Sequence, residues 1–194
     1  ARLQAPIDLV INKFELTYTG DWQAPQLSME ATQRGQNVPL GTTFGVTTAI
    51  NDVTQNTERV SNTVTVSPRT VVLPDNYFSA YEVLALRVGG LPAGARVPSY
   101  IAPRGEISAT LNSVTPRRVV LSNGTLDLRE VSLTFNNAAG PLTIEMWIDS
   151  RNRLARLVSR TASVAVVRDD LASVMAREEG IRHATDEDAF IPAG

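Results

Sequence analysis

Hydrophobic and polar residues alternate along most of this chain, a pattern typical of β-strands whose two faces have different environments. In residues 9–19 the alternation places Phe14, Leu16 and Tyr18 on one face, which we predict to point inward. Short polar turns follow, and such short connections join neighbouring antiparallel strands. The next predicted strands lie at residues 26–33, 38–49 and 60–67, and the polar residues 51–59 are assigned to no strand.

One segment follows a helical period instead, and we predict an amphipathic helix over residues 75–89. Asp75 or Asn76 can cap its start, because a short side-chain oxygen accepts a backbone N–H of the first turn. Gly89 and Gly90 are expected to end it in the left-handed conformation. The predicted apolar stripe consists of Tyr77, Phe78, Tyr81, Leu84, Ala85 and Val88.

After the helix, residues 91–103 hold three prolines and a glycine, which predicts a crossing loop or a linker. The Asn123-Gly124 pair predicts a hairpin turn, because both residues accept a positive φ. The remaining predicted strands lie at residues 106–114, 117–121, 125–135, 142–149, 153–160 and 162–168.

These elements predict a mainly β fold: a strongly curved, half-barrel-like antiparallel sheet of about nine or ten strands around the helix at residues 75–89. Two stacked sheets with the helix at one end are the alternative. We predict one β-rich domain over residues 1–170, followed by a short helix and an acidic connector over residues 171–194.

Composition excludes several classes of function. The net charge is -2 and the charges are scattered, so we expect no nucleic-acid partner. No apolar run approaches the roughly 20 residues that span a bilayer, so we expect a protein that is not membrane-spanning. Without cysteine there is no disulfide, thiolate zinc site or cysteine nucleophile. The chain starts at Ala1 without Met, so we expect that a leader or an earlier segment has been removed.

The sequence contains no readable active site. His183 is the single histidine and lies in an acidic tail, so we expect neither a Ser-His-Asp site nor a metal or cofactor. Carboxylates on the predicted strands, at Glu15, Glu30, Asp127, Glu130 and Glu145, are expected to face water. An apolar groove under the sheet is the candidate ligand site, with core packing as the alternative role of its aromatic residues. Its candidate residues are Tyr77, Phe78, Tyr81, Tyr100 and Trp147.

Residues 141–174 carry a recognisable pattern: an E-x-W-x-D strand, a D-x-x-N/G-R-L turn, and a return strand that ends in V-V-R-D-D. This pattern resembles the closing hairpins of β-rich domains that precede the catalytic domain in exported bacterial α/β-hydrolases of the serine esterase and peptidase type. The segments VVLPDNYFSAYEVLALRV and SYIAP, and the ending DEDAFIPAG, are similar to the same domain. A weaker similarity links the hairpin to periplasmic curved-sheet domains, including lipoprotein carriers.

The resemblance implies a non-catalytic accessory domain, periplasmic or secreted, covalently linked to a C-terminal hydrolase domain. Such a domain would shape or shield the active site, position the substrate, or aid export and folding. No catalytic residue carries over, because the G-x-S-x-G elbow is absent from these residues. The second hypothesis is a free-standing periplasmic carrier that binds an acyl chain or another apolar small molecule between sheet and helix. The third is a stand-alone enzyme that uses carboxylates.

Overall fold

The chain is mainly β in the computed structural model, which describes residues 9–33, 35–55, 58–74, 78–101, 105–121, 124–137, 140–159, 164–169 and 171. The first five strands are β1 (Leu9–Thr17), β2 (Gln26–Gln33), β3 (Gln36–Phe44), β4 (Thr48–Gln55) and β5 (Glu58–Thr65). They are followed by β6 (Val71–Val72), a 3₁₀ turn (Phe78–Ala80), α1 (Tyr81–Val88) and β7 (Arg96–Ile101). The last five are β8 (Gly105–Leu121), β9 (Gly124–Asn137), β10 (Gly140–Asp149), β11 (Leu154–Ser159) and β12 (Val164–Val167). Within the described residues, a mainly β chain with one short helix, α1, is therefore confirmed.

Within the described residues there are twelve strands rather than nine or ten, and they form two sheets rather than one. Strands β1 to β5 form an antiparallel meander in chain order. The second sheet has the order β12-β11-β10-β9-β8-β7-β6. Its β6 and β7 are parallel, because a strand, helix and strand in succession return the chain in its original direction.

The predicted strand at residues 38–49 is two strands, β3 and β4. Gly45 interrupts it, and its N–H donates to the Thr48 carbonyl over 2.8 Å to close the turn. The polar residues after Ile50 then continue β4, where Thr42 and Asn51 face each other across the strand pair. Polar residues are stable in this strand because they find partners on the neighbouring strand.

The proline-rich residues 91–103 contain strand β7, which the sequence did not predict. Val97, Ser99 and Tyr100 are buried, and the Leu73 N–H donates to the Tyr100 carbonyl over 2.8 Å. Pairing with β6 involves only Ser99 and Tyr100, so Pro98 lies beside this pairing and removes no donor from it.

The predicted break at residues 115–116 is absent, because β8 is one continuous strand of 17 residues. Pro116 lies opposite Arg129 without a shift of register. The predicted hairpin follows, but its last pair is Leu121 with Gly124. The connecting residues are therefore 122 and 123, one position earlier than predicted, and they lie outside the described residues.

Contacts within the chain divide it into two compact units: residues 1–83 with 97–108, and residues 84–96 with 109–194. In the first unit, Phe14, Leu16 and Tyr18 pack against a buried cluster of Ala24, Leu27 and Val72, which confirms the predicted inward face. The second unit has a buried cluster of Val119, Leu128, Trp147, Ala155 and Leu171. Residues 172–194, predicted to be helix and connector, lie outside the described residues.

Helix α1 begins at Tyr81, after the 3₁₀ turn, and ends at Val88, whereas a helix over residues 75–89 was predicted. The role of the following glycine also differs from the prediction. Neither Gly89 nor Gly90 has a left-handed φ. A Cβ on Gly89 would lie 2.8 Å from the Asn152 Cβ and closer still to the Asn152 amide group. Gly89 is therefore required for space. The predicted caps, Asp75 and Asn76, lie outside the described residues.

We expect Gly89→Ala to lower the free energy of unfolding by about 1–3 kcal/mol, because the added methyl group overpacks the contact with Asn152. Gly90→Ala is the matched control, since no heavy atom lies within 4 Å of the position that its Cβ would take. The control should stay within about 0.5 kcal/mol of the wild type in urea denaturation followed by circular dichroism. Equal losses in the two variants would contradict this explanation.

Candidate functional site

Two of the predicted ligand-binding aromatics are neighbours in the structure. The rings of Phe78 and Tyr81 stack with centroids 6.3 Å apart and an interplanar angle of 26°. Both side chains are half-buried. Tyr77 lies outside the described residues.

Tyr100 lies in the interior of the first unit, with no exposed surface. Its hydroxyl donates to Asn51 Oδ1 over 2.7 Å, and its ring contacts Phe44 edge-on with centroids 5.0 Å apart. Burial raises the pKa of Tyr100.

Trp147 is buried in the second unit, where the guanidinium carbons of Arg117 and Arg156 lie 4.0 and 4.7 Å from the ring centroid. These distances allow cation–π attraction. The indole N–H is buried and has no hydrogen-bond partner among the described residues. Trp147 therefore fills the core of this unit, and ligand binding by these aromatics stays a prediction.

Three of the strand carboxylates are held by basic side chains. Asp127 contacts Arg118 at 2.7 Å, Glu130 contacts Arg117 at 3.0 Å, and Glu15 contacts Lys13 at 3.1 Å. The hydrogen bond from Arg118 lowers the pKa of Asp127. A general acid needs the opposite shift, so Asp127 does not fit that role at neutral pH.

Asp149, the last residue of β10, is a buried carboxylate that is held by four groups. Its Oδ1 accepts the backbone N–H groups of Arg151 at 2.9 Å and Arg153 at 3.0 Å. Its Oδ2 contacts the guanidinium groups of Arg153 at 2.8 Å and Arg168 at 3.1 Å. Burial opposes ionisation, but these donors outweigh it and lower the pKa of Asp149.

Within the described part of the chain, no three histidine, cysteine or acidic residues come together as a possible metal site. The described residues also include no helix long and apolar enough to cross a membrane. His183 lies outside these residues.

A cavity of about 370 Å³ lies in the first unit, where three connections meet: residues 18–25, 45–47 and 66–70. In an antiparallel meander, the connections after β1, β3 and β5 leave the sheet at the same end. We call this site the three-loop cavity. It is lined by Asp21, Gln23, Ala24, Pro25, Phe44, Gly45, Val46, Ser67, Pro68, Arg69 and Thr70.

Backbone hydrogen bonds connect the three loops. The Phe44 N–H donates to the Pro25 carbonyl over 2.9 Å, and the Val66 N–H donates to the Thr47 carbonyl over 3.0 Å. The Ser67 N–H and hydroxyl both donate to the Glu106 carboxylate over 2.7 Å. The walls of the cavity are thus held in place before any ligand binds.

The lining combines apolar surface with one charge of each sign. Ala24 and Phe44 contribute buried or half-buried apolar surface, whereas Asp21 and Arg69 are exposed. The hydrogen bond from the Thr19 hydroxyl is the largest cause of a lowered pKa at Asp21, and Arg69 contributes through its charge. The carboxylate is therefore ionised at neutral pH.

Two polar atoms of the lining residues are buried without a hydrogen-bond partner in the described structure: Gln23 Nε2 and Thr70 Oγ1. Such atoms are uncommon in folded proteins, and each calls for an explanation. Trp22, between two lining residues, is 46% exposed and has a positive φ of 61°. The sequence pattern predicted only a connection here, although a tryptophan in a turn was an available signal of a binding surface.

Comparison with family models, curated proteins and solved structures found no match for this chain.

Proposed function

We propose that this chain is a non-catalytic accessory β domain of an exported bacterial α/β-hydrolase, acting in the periplasm or after secretion. In this proposal it shapes or shields the active site of a covalently linked C-terminal hydrolase domain, or positions its substrate.

The main support is the structural role of the residues that carry the resemblance. Asp149 holds the following turn through two backbone N–H groups, and Arg153 and Arg168 neutralise it. Asn152 has a φ of 61°, which explains why the turn pattern takes Asn or Gly at this position. The pattern therefore describes a stable turn rather than reactive groups.

The test is the intact mass of the natural polypeptide, together with its coding sequence beyond Gly194. We expect the chain to continue for about 250 residues, the upper range of one domain, and to contain G-x-S-x-G with a later Asp and His. We also expect the purified 194-residue chain to hydrolyse neither nitrophenyl esters nor peptide anilides. Turnover by this chain alone would contradict the proposal.

A natural polypeptide that ends near Gly194 would also contradict it. The second candidate is then a free-standing periplasmic carrier that binds an acyl chain between sheet and helix. The stacked and half-buried pair of Phe78 and Tyr81 favours this candidate, because it offers apolar surface at the start of α1.

A further inference from the structure

We propose that strand β5 is the contact of a homodimer, in which the free β5 edges of two copies of this chain pair antiparallel about a twofold axis. Strand β5 is the last strand of the first sheet, with β4 on one side and no strand on the other among the described residues. Seven of its eight residues are exposed, and only Val64 is half-buried. The proposal does not depend on a linked hydrolase domain.

Strand β5 lacks the features that protect the other sheet edges of the described structure. Strand β1 has a register shift between Ile11 and Lys13, and the charged side chains of Lys13 and Glu15 are exposed. At the edges of the second sheet, β6 has two residues and β12 has four. Strand β5 keeps a regular register with β4 over all eight residues and contains neither proline nor lysine. Long, regular and exposed edges of this kind pair readily with another strand.

Every second residue of β5 directs its backbone N–H and C=O groups to the free edge. Val66 and Thr47 extend the register of β5 and β4, and the Val66 N–H donates to the Thr47 carbonyl over 3.0 Å. Hydrogen-bonded pairs alternate with non-bonded pairs along an antiparallel ladder, so the even-numbered residues of β5 bond to β4. The residues that present their backbone groups outward are Arg59, Ser61, Thr63 and Thr65.

One register matches this edge to a second copy of itself. When Asn62 lies opposite Asn62 of the second copy, every outward-facing residue has a partner: Ser61 pairs with Thr63, and Arg59 pairs with Thr65. A register shifted by two residues in either direction leaves Arg59 or Thr65 without a partner on β5. It also places a valine, Val60 or Val64, opposite Asn62.

The side chains in this register are complementary. Val60, which is 55% exposed, lies beside Val53 of β4 and comes to lie opposite Val64 of the second copy. A row of apolar side chains then continues across both copies and covers Val60. On the other face, Arg59 forms an ion pair with Asp52 of its own chain at 2.8 Å and lies opposite an uncharged threonine. No two like charges are therefore placed opposite each other.

The test is sedimentation velocity of the 194-residue chain at concentrations from roughly 5 to 500 μM, because the contact of one strand pair is small and small interfaces are weak. We expect monomer at the low end of this range and dimer at the high end. No larger species should form, because a twofold contact uses the β5 edge of both copies.

Amide hydrogen exchange followed by ¹H–¹⁵N NMR locates the contact. The even-numbered amides from Val60 to Val64, which bond to β4, should be protected at every concentration. The outward-facing amides should exchange rapidly in the monomer and become protected in the dimer. These are the amides of Arg59, Ser61, Thr63 and Thr65.

Two variants should weaken dimerisation at least about tenfold and leave the monomer folded. Thr63→Pro removes an outward-facing N–H and keeps the hydrogen bonds to β4, which involve the even-numbered residues. Val60→Lys places a charge opposite Val64 of the second copy. The matched controls are Thr63→Ala, which keeps the N–H, and Val46→Lys, which changes a valine that is 79% exposed and lies outside β5. Both controls should dimerise like the wild type, and circular dichroism at low concentration checks the fold of all four variants.

Three results would overturn the proposal. The first is a chain that sediments as a monomer over the whole concentration range. The second is a dimer that persists in both Thr63→Pro and Val60→Lys, because its contact would then lie on another surface. The third is protection of the outward-facing amides already in the monomer, because another segment of the same chain would then cover the β5 edge.

Discussion

Replacing Asp149 by alanine is expected to lower the free energy of unfolding by about 3 kcal/mol. Removal of one member of a buried ion pair costs roughly 3–5 kcal/mol, because the remaining charge is left in the interior. We take the lower end because Arg153 is half exposed and regains contact with water, whereas Asp149 has only 3% of its side chain exposed. Two backbone N–H groups of the turn also lose their acceptor.

The loss can be measured by urea denaturation, with the fluorescence of Trp147 as the probe. The chain has two tryptophans, so a Trp22→Phe background isolates the signal of the second unit. Asp127→Ala is the matched control: its pair with Arg118 has 71% of each side chain exposed, and exposed pairs contribute at most about 1 kcal/mol. A control loss as large as that of Asp149→Ala would refute the explanation by burial.

The same carboxylate predicts a dependence on pH. The pKa of Asp149 is lowered in the folded state, so the unfolded chain binds its proton more readily as the pH falls. The contribution of Asp149 to the free energy of unfolding is therefore complete above the ordinary aspartate pKa of about 4. It is lost as the pH falls through the lowered pKa of the folded state. The stability difference between wild type and Asp149→Asn should be largest at neutral pH and should shrink below about pH 4.

The sequence predicted those strands and helices whose ends are set by residues next to them in the chain. Strand β2 has the predicted bounds of residues 26–33, because its alternation ends at a turn on each side. The end of α1 was predicted to within one residue, but the predicted role of Gly89 was wrong. The closeness of Asn152 to Gly89 involves residues far apart in sequence. Alternation shows which face of a strand is buried but not which strand lies beside it. For this reason the sequence left one curved sheet and two sheets as alternatives, and only the structure shows that there are two.

The three-loop cavity could not be predicted from the sequence for the same reason. Its residues come from three loops, around Gln23, Gly45 and Pro68, that meet only after the meander has formed. Glutamine and threonine in loops usually bond to water, so no pattern distinguishes Gln23 or Thr70 from other exposed polar residues. Their burial without a partner is visible only in the folded chain.

Asn51→Ala is expected to destabilise the first unit by about 2–4 kcal/mol. Asn51 Oδ1 accepts hydrogen bonds from the Thr42 hydroxyl at 2.8 Å and the Tyr100 hydroxyl at 2.7 Å. All three side chains are buried, so truncation of Asn51 leaves two donors without an acceptor, each at roughly 1–3 kcal/mol. Asn62→Ala, an exposed residue opposite Asn51 on β5, should stay within about 0.5 kcal/mol of the wild type.

We attribute the loss of stability in Asn51→Ala to the Thr42 and Tyr100 hydroxyl groups that lose their acceptor. Removal of both hydroxyl groups tests this explanation. Thr42→Val with Tyr100→Phe in the Asn51→Ala background should restore part of the lost stability, because no buried hydroxyl then lacks an acceptor. A further loss in this triple variant would show that packing, not hydrogen bonding, dominates. Amide hydrogen exchange of β3, β4 and β7 reports on this unit directly.

Tyr100 is expected to make the free energy of unfolding depend on pH under alkaline conditions. Its folded pKa is raised, so it keeps its proton in the folded chain where the unfolded chain has lost it. Its contribution is therefore complete below the ordinary tyrosine value of about 10 and is lost as the pH rises through the raised pKa. Tyr100→Phe cannot ionise, so its stability relative to wild type should improve above about pH 10. An unchanged difference across this range would mean that the Tyr100 hydroxyl is not buried against Asn51 in solution.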